Sequence, residues 1–256
     1  MSDYAFAGFI TVRTSSSRLP AKCLLPFGDG TVVNHMIRRA RAFAIEPIVC
    51  TSVDVSDDPI EEISVAEGAR CFRGSLSNKL KRWSDCAEQF GLAVFHTLDA
   101  DDPFFDGEEM AQSMALLTAG RLDMVCPTDS SSAGGGSVGY SLTGGVVKRA
   151  CAGLSDEADT EMMWHYVERL PGLRTAVLPE LHSHRAPVRL TLDYQEDYWL
   201  LESVRRMVGN VAPRAAVDDL FRRNPDLYQI NWYRNQEWKS AQAAKSPASP
   251  VTPLPL

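Results

Sequence analysis

The stretch Phe6-Ala7-Gly8-Phe9-Ile10-Thr11-Val12 runs without a break into Arg13-Thr14-Ser15-Ser16-Ser17-Arg18-Leu19-Pro20-Ala21-Lys22. The first seven residues, rich in aromatic and β-branched types, predict a buried strand. Three cations, three serines and a proline leave that strand together. Such a loop suits a polyphosphate: backbone N–H groups and Ser hydroxyls donate hydrogen bonds, and Arg and Lys neutralise charge. The loop therefore predicts a site for a nucleoside triphosphate.

Composition narrows the class. The chain has 256 residues, 45% of them hydrophobic, enough for one large α/β domain or two small ones. A net charge of -7 argues against a nucleic-acid binder, so the cations of the first loop are a local feature. No run of about 18 apolar residues exists to span a membrane. Met1-Ser2-Asp3-Tyr4 does not start a secretory signal, and a cytoplasmic protein is expected. The six cysteines, Cys23, Cys50, Cys71, Cys86, Cys126 and Cys151, form no C-x-x-C pair and read as buried reduced thiols.

Short apolar runs alternate with helical patterns. Strands are predicted over 6–12, 47–51, 70–72, 92–98 and 123–126, and helices over 32–43, 59–67, 76–90 and 108–119. This spacing predicts βαβ units around a mostly parallel sheet. Further on, a strand is expected through 138–142, helices over 146–152 and 160–168, strands over 174–178 and 188–192, and a helix over 194–208. Ser130–Gly136 reads either as a linker or as a mobile loop over a substrate. From Ser240 the Ala, Pro and Ser content predicts a disordered tail. His182-Ser183-His184 lacks an evident third metal ligand, and His35 and His96 read as core histidines. Tyr228–Tyr233 is aromatic-rich and fits either a subunit interface or an edge packed on the domain.

Two further segments carry carboxylates. Leu98-Asp99-Ala100-Asp101-Asp102-Pro103 follows an apolar strand, which puts its acids at the carboxyl edge of the sheet, where open α/β folds bind ligands. Thr191-Leu192-Asp193 repeats that arrangement. Asp193 also fits a helix N-cap, with Glu196 completing a capping-box-like start.

The pattern Arg13-x-x-Ser16-Ser17-Arg18-Leu19-Pro20-x-Lys22 resembles the signature loop of the CMP-sugar-acid synthetases. These include the Kdo and acylneuraminate cytidylyltransferases and the spore coat polysaccharide biosynthesis protein F type, which matches best. The likeness continues through Leu24–Gly28, Asp57-Asp58-Pro59-Ile60, Phe72-Arg73-Gly74-Ser75, Asp101-x-Pro103 and Arg189–Asp193, covering roughly residues 5 to 210. It implies a Rossmann-like nucleotidyltransferase fold, a mixed, mainly parallel sheet with helices on both faces, in a single domain over 1–240 with a tail over 241–256. It implies that Arg13, Ser16, Ser17, Arg18 and Lys22 bind the phosphates of CTP, with Arg73 and Ser75 at the base. It implies that Asp101 and Asp193 bind Mg²⁺, and that Arg13, Lys22 and Asp193 are catalytic. The expected reaction joins CMP to an acidic sugar and releases pyrophosphate. A homodimer is expected, residues 135–180 reaching the partner or covering the substrate.

Some positions depart from the family pattern. Ala21 stands where the family has Gly, Met162 follows Glu161 where a His is common, and Val138 and Tyr140 replace an acidic pair. The departures fall mainly on the acceptor side. They leave open another nucleotide, another acceptor such as an amino sugar or a phosphonate, or a non-catalytic homologue.

Overall fold

The computed structural model describes residues 4–128, 131, 135, 136, 138–180 and 188–245. The opening apolar run forms β1 (Phe6–Thr11), an interior strand of the sheet. It pairs in parallel with β4 (Ile45–Ser52) and with β6 (Val94–Asp99), and β4 pairs with β5 (Arg70–Gly74). The other half holds β7 (Met124–Cys126), β8 (Ser141–Thr143) and β9 (Thr175–Val177). Among the described residues the sheet has seven strands in the order β5-β4-β1-β6-β8-β7-β9, with β8 antiparallel to both its neighbours. A small ribbon pairs β2 (Pro26–Phe27) with β3 (Gly30–Thr31). The expected mixed, mainly parallel sheet is what forms.

Period-2 alternation gives the sheet two buried faces. Ile10, Val49 and Leu98 point to one side, where α1 (Val32–Ala42), α2 (Asp58–Ala66) and α4 (Gly107–Ala119) pack with Met36, Ile60 and Met114. Phe9, Ile48 and Phe95 point to the other. There α3 (Lys79–Gln89) and α5 (Gly144–Cys151) supply Leu80, Trp83, Val146 and Val147. Phe9 and Phe95 stack with ring centroids 4.1 Å apart. α7 (Gln195–Val208) and α8 (Arg214–Arg223) extend the first face, and α6 (Trp164–Val167) closes the second. Residues 138–180 thus contribute two strands to the one sheet.

Three expectations need correction. Residues 188–192 alternate like a strand and bury Val188, Leu190 and Leu192, yet they form no ladder. They cross the sheet end, joined to it by the Leu192 N–H on the Asp101 carbonyl (2.6 Å). The helix expected over 160–168 shrinks to α6, because Thr160 is turned inward to accept the Leu80 N–H at 3.0 Å. Residues 241–245, expected in the disordered tail, belong to α9 (Arg234–Lys245). Residues 246–256, most of Ser130–Gly136, and His182-Ser183-His184 lie outside the described residues. All six cysteines are free. Cys23, Cys50 and Cys86 are buried, whereas Cys71, Cys126 and Cys151 are only partly so.

His35 and His96 are core histidines, as expected. His35 Nε2 lies 2.8 Å from the Pro103 carbonyl. His96 Nε2 donates to the Val138 carbonyl, which leaves Nδ1 to accept from Ser141 Oγ at 2.8 Å. Burial pushes each ring down to about 4. Each therefore binds its proton less readily folded than unfolded, and stability that is full above pH 6.5 falls as pH drops toward 4. The loss is about 3 kcal/mol per ring. Urea midpoints are expected to be level from pH 8 to 7 and to fall steeply between pH 6.5 and 4. A midpoint level down to pH 4 contradicts this.

Candidate active site at the carboxyl edge of the sheet

β1, β4 and β6 end side by side, and the loops that leave them meet there. The loop over 13–22 is clamped to β4 by Asp57. One carboxylate oxygen accepts the Thr14 N–H and hydroxyl, both at 2.8 Å, and the other accepts the Ser52 hydroxyl and N–H (3.2 Å). Burial opposes ionisation of Asp57, but the bonds from Ser52 and Thr14 outweigh it and hold the carboxyl below its ordinary value. Ala21 then turns the chain at φ 51°, ψ 28°. That is left-handed backbone, which costs a residue with a Cβ about 1–2 kcal/mol. A glycine, which the resemblance implies at this position, would be free of that cost.

The turn delivers Lys22 to the predicted aspartates. Its Nζ donates to Asp101 Oδ2 and Asp193 Oδ1, each at 2.9 Å, and to the Leu192 carbonyl at 2.7 Å. The two carboxylate oxygens therefore stand no more than twice 2.9 Å apart. Arg18 Nη2 adds a bond to Asp193 Oδ1 at 2.5 Å. Burial disfavours the Lys22 charge, but Asp101 and Asp193 more than offset it and raise the ammonium above its usual value. Burial likewise works against Asp193, but Lys22 and Arg18 prevail and hold it at about 2. Sequence separations of 79 and 171 residues close into one charge cluster.

Arg13 lies elsewhere. Its guanidinium donates to the Leu76 carbonyl (2.6 Å) and to Glu161 (3.1 Å). Glu161 also takes Lys79 at 3.3 Å, and Lys79 stands 4.0 Å from Asp99. Partial loss of solvation raises Asp99 above its ordinary value, with Lys79 pulling the other way. Tyr140 borders this group, and burial raises its phenol. Lys79, Asp99 and Glu161 thus form a second cluster, of which the motifs named Asp99 and Glu161 and missed Lys79. The signal available was a lysine inside an otherwise amphipathic helix start, which reads as a solvated residue.

The serines and the base turn make contacts of their own. Ser16 Oγ accepts the Leu19 N–H at 3.4 Å, and Ser17 is exposed. Ser75 Oγ donates to the Asp156 carbonyl and accepts the Asn78 N–H. Arg73, expected at the base, is held by Asp58 (2.6 Å), Glu61 (2.8 Å) and the Ser52 and Asp54 carbonyls. Arg73→Ala is accordingly expected to change kcat/KM for CTP by less than about threefold, the size of a substitution outside the site. A loss above about tenfold in a pyrophosphate-release assay contradicts this placement.

The helix start after Asp193 is also shifted. α7 begins at Gln195, and Asp197, not Glu196, accepts the N–H groups of Asp193 and Tyr194, both at 2.9 Å. Arg189, fully buried, bridges Asp197 and Asp193. Among the described residues no three His, Cys, Asp or Glu side chains converge as a metal site. A cation here would rest on Asp101 and Asp193 alone. No described helix is long and apolar enough to cross a membrane.

Comparison with known proteins places this geometry. A cytidylyltransferase family model matches residues 7–202. The spore coat polysaccharide biosynthesis protein SpsF of Bacillus subtilis (strain 168) is 29% identical over 240 residues, covering 88% of this chain and 97% of that protein. A cytidylyltransferase structure from Leptospira borgpetersenii superposes with a TM-score of 0.73 at 21% identity, over 88% of this chain and 97% of the other. CMP:2-keto-3-deoxy-manno-octonic acid synthetase, solved in complex with CTP, superposes with a TM-score of 0.58 at 15% identity, over 79% and 99%. Both likenesses extend to the nucleotidyltransferase fold of the sheet. With a sheet of that form, a cationic loop at its edge and a family match over most of its length, the chain belongs to the cytidylyltransferase family.

Proposed function

We propose that this cytidylyltransferase transfers CMP from CTP to a hydroxyl of an acidic sugar and releases pyrophosphate, in the service of polysaccharide biosynthesis. The observation that carries the reading is Lys22, held between Asp101 and Asp193 at the mouth of the loop over 13–22. Lys22 and Arg18 are the cations for the polyphosphate, and their charge stabilises the leaving pyrophosphate. Arg13, paired here with Glu161, is proposed as a further phosphate ligand from the same loop.

The donor set fits Mg²⁺. Asp101 Oδ2 and Asp193 Oδ1 stand close enough for one cation, here the Lys22 ammonium, to bridge them, and Mg²⁺ favours a few carboxylates together with phosphate oxygens, so Lys22 would give up these bonds when the ion binds. Asp101 and Asp193 would hold it. When bound, Mg²⁺ supplies charge neutralisation on the phosphates. Asp193, kept at about 2 by its cations, holds charge and is a poor proton acceptor. We further propose a cytoplasmic homodimer. The free cysteines support the compartment, and the exposed Val177 on the edge strand β9 supports contact through residues 135–180.

One observation favours a second acceptor class. Asp99 and Glu161 are 37% and 41% exposed, whereas Lys79 is 9% exposed, so the accessible face of the second cluster is the acidic one. Such a face accepts hydrogen bonds from amino or hydroxyl groups. A pyrophosphate-release assay over sugar acids and amino sugars, with CTP, UTP, GTP and ATP each offered, tests both readings. Turnover with CTP and a sugar acid supports the first. CTP turnover restricted to amino sugars selects the second, and no turnover with CTP contradicts both.

A further inference from the structure

The family match ends at residue 202, yet the groups that hold Asp193 in place extend beyond it. Arg189 donates to both oxygens of Asp197 (2.9 and 3.0 Å) and to Asp193 Oδ2 (3.3 Å). Asp197 in turn fixes the backbone at Asp193 and Tyr194. This turn is gripped from outside by Asn231, fully buried at the end of the 3₁₀ turn Pro225–Ile230. Asn231 Nδ2 donates to Asp197 Oδ1 at 2.9 Å and to the Arg189 carbonyl at 3.0 Å. Three residues on, Arg234 forks onto Glu196 (3.0 and 3.2 Å) and lies 4.8 Å over the Tyr194 ring.

Asn231 is an unusual choice for a buried position. Its Oδ1 is buried without a partner, which costs stability. Only the two bonds from its Nδ2 offset that cost, and both end on the turn that carries Asp193. Groups that orient a metal-binding carboxylate act in this way, from behind the ligand.

We propose that Asn231 is a positioning residue for Asp193, and that the segment over 225–238 is a strut of the active site. The proposal rests on the reading that Asp193 holds a divalent ion beside CTP. Asp197 and Arg189 transmit the position, and Arg234 braces the same turn from the solvent side.

The test uses the full chain with Mn²⁺ as the probe, read by the loss of the free-ion electron paramagnetic resonance signal in the presence of CTP. Asn231→Leu removes the donors and leaves an apolar side chain in an already buried place. It is expected to weaken Mn²⁺ binding about 10- to 100-fold and to lower pyrophosphate release by a similar factor. Arg234→Ala, which removes a partly exposed ion pair and leaves the core alone, is expected to weaken Mn²⁺ binding in the same direction by about threefold. Gln229→Ala, on the exposed side of the same 3₁₀ turn, is expected to change neither readout. Mn²⁺ affinity within twofold of wild type in both Asn231→Leu and Arg234→Ala overturns the strut. So does an activity loss that follows only the folded fraction. If wild type with CTP binds no Mn²⁺, the divalent-ion reading itself fails and the strut with it, an outcome read before any variant is made.

Discussion

Lys22→Met is expected to lower CTP-dependent pyrophosphate release by about 100- to 1,000-fold, the scale of removing one preorganised charge donor. Among the described residues the ammonium is the one group that meets Asp101, Asp193 and the Leu192 carbonyl together. Methionine keeps most of the side-chain volume, so packing is conserved while the charge disappears. Arg18 and Arg189 still pair with Asp193, and Asp101 is 30% exposed, so the stability loss is held to about 1–3 kcal/mol, below that of a fully buried broken pair. Rate and stability therefore separate in this variant. Steady-state assays alongside urea melts measure both. A variant that retains more than a tenth of the wild-type rate contradicts the role given to Lys22.

Asp193→Asn is the second large effect, and it strikes both properties. Asp193 is 1% exposed and accepts from Arg18, Lys22 and Arg189. An amide keeps the shape, but it turns a donor toward one of those cations and leaves three positive charges with less than their balance. The expected cost is about 3–5 kcal/mol of stability, together with loss of activity of at least about 100-fold. The pH dependence has a definite sign. The folded carboxyl sits at about 2 against an ordinary 3.8, so its contribution is present above 3.8 and is lost as pH falls through about 2. The stability gap between wild type and variant should be constant from pH 8 to 5 and narrow only below 3.8. A gap that narrows between pH 7 and 5 means that another group carries the effect.

Much of the site was legible because its parts obey strong local rules. β1 announces itself by an unbroken apolar run, and the residues that leave it must lie at the sheet edge. Asp101 and Asp193 follow buried segments, which fixed their end of the fold even though 188–192 forms no strand. Alternation reports burial on one side, and Val188, Leu190 and Leu192 are buried without any ladder.

The rest depends on contacts that no short pattern encodes. Arg13 and Lys22 leave the same loop, yet one joins Glu161, 148 residues away, and the other joins Asp193, 171 residues away. Arg73 sits in a turn of the expected form, but acids on α2 that read as an ordinary helix start capture it. Asn231 lies in a stretch whose aromatic residues draw the eye, while its own role appears only when Asp197 and Arg189 are placed beside it. Long-range charge pairing decides which of several equivalent cations serves which carboxylate.

The most direct test of the central claim is a calorimetric titration of CTP into wild type and into the Asp101→Asn/Asp193→Asn double variant, each with and without Mg²⁺. Mg²⁺ is expected to tighten CTP binding at least about tenfold in wild type, a coupling within the range seen between sites, and this coupling is expected to vanish in the double variant. Equal Mg²⁺ dependence in both proteins would contradict that claim.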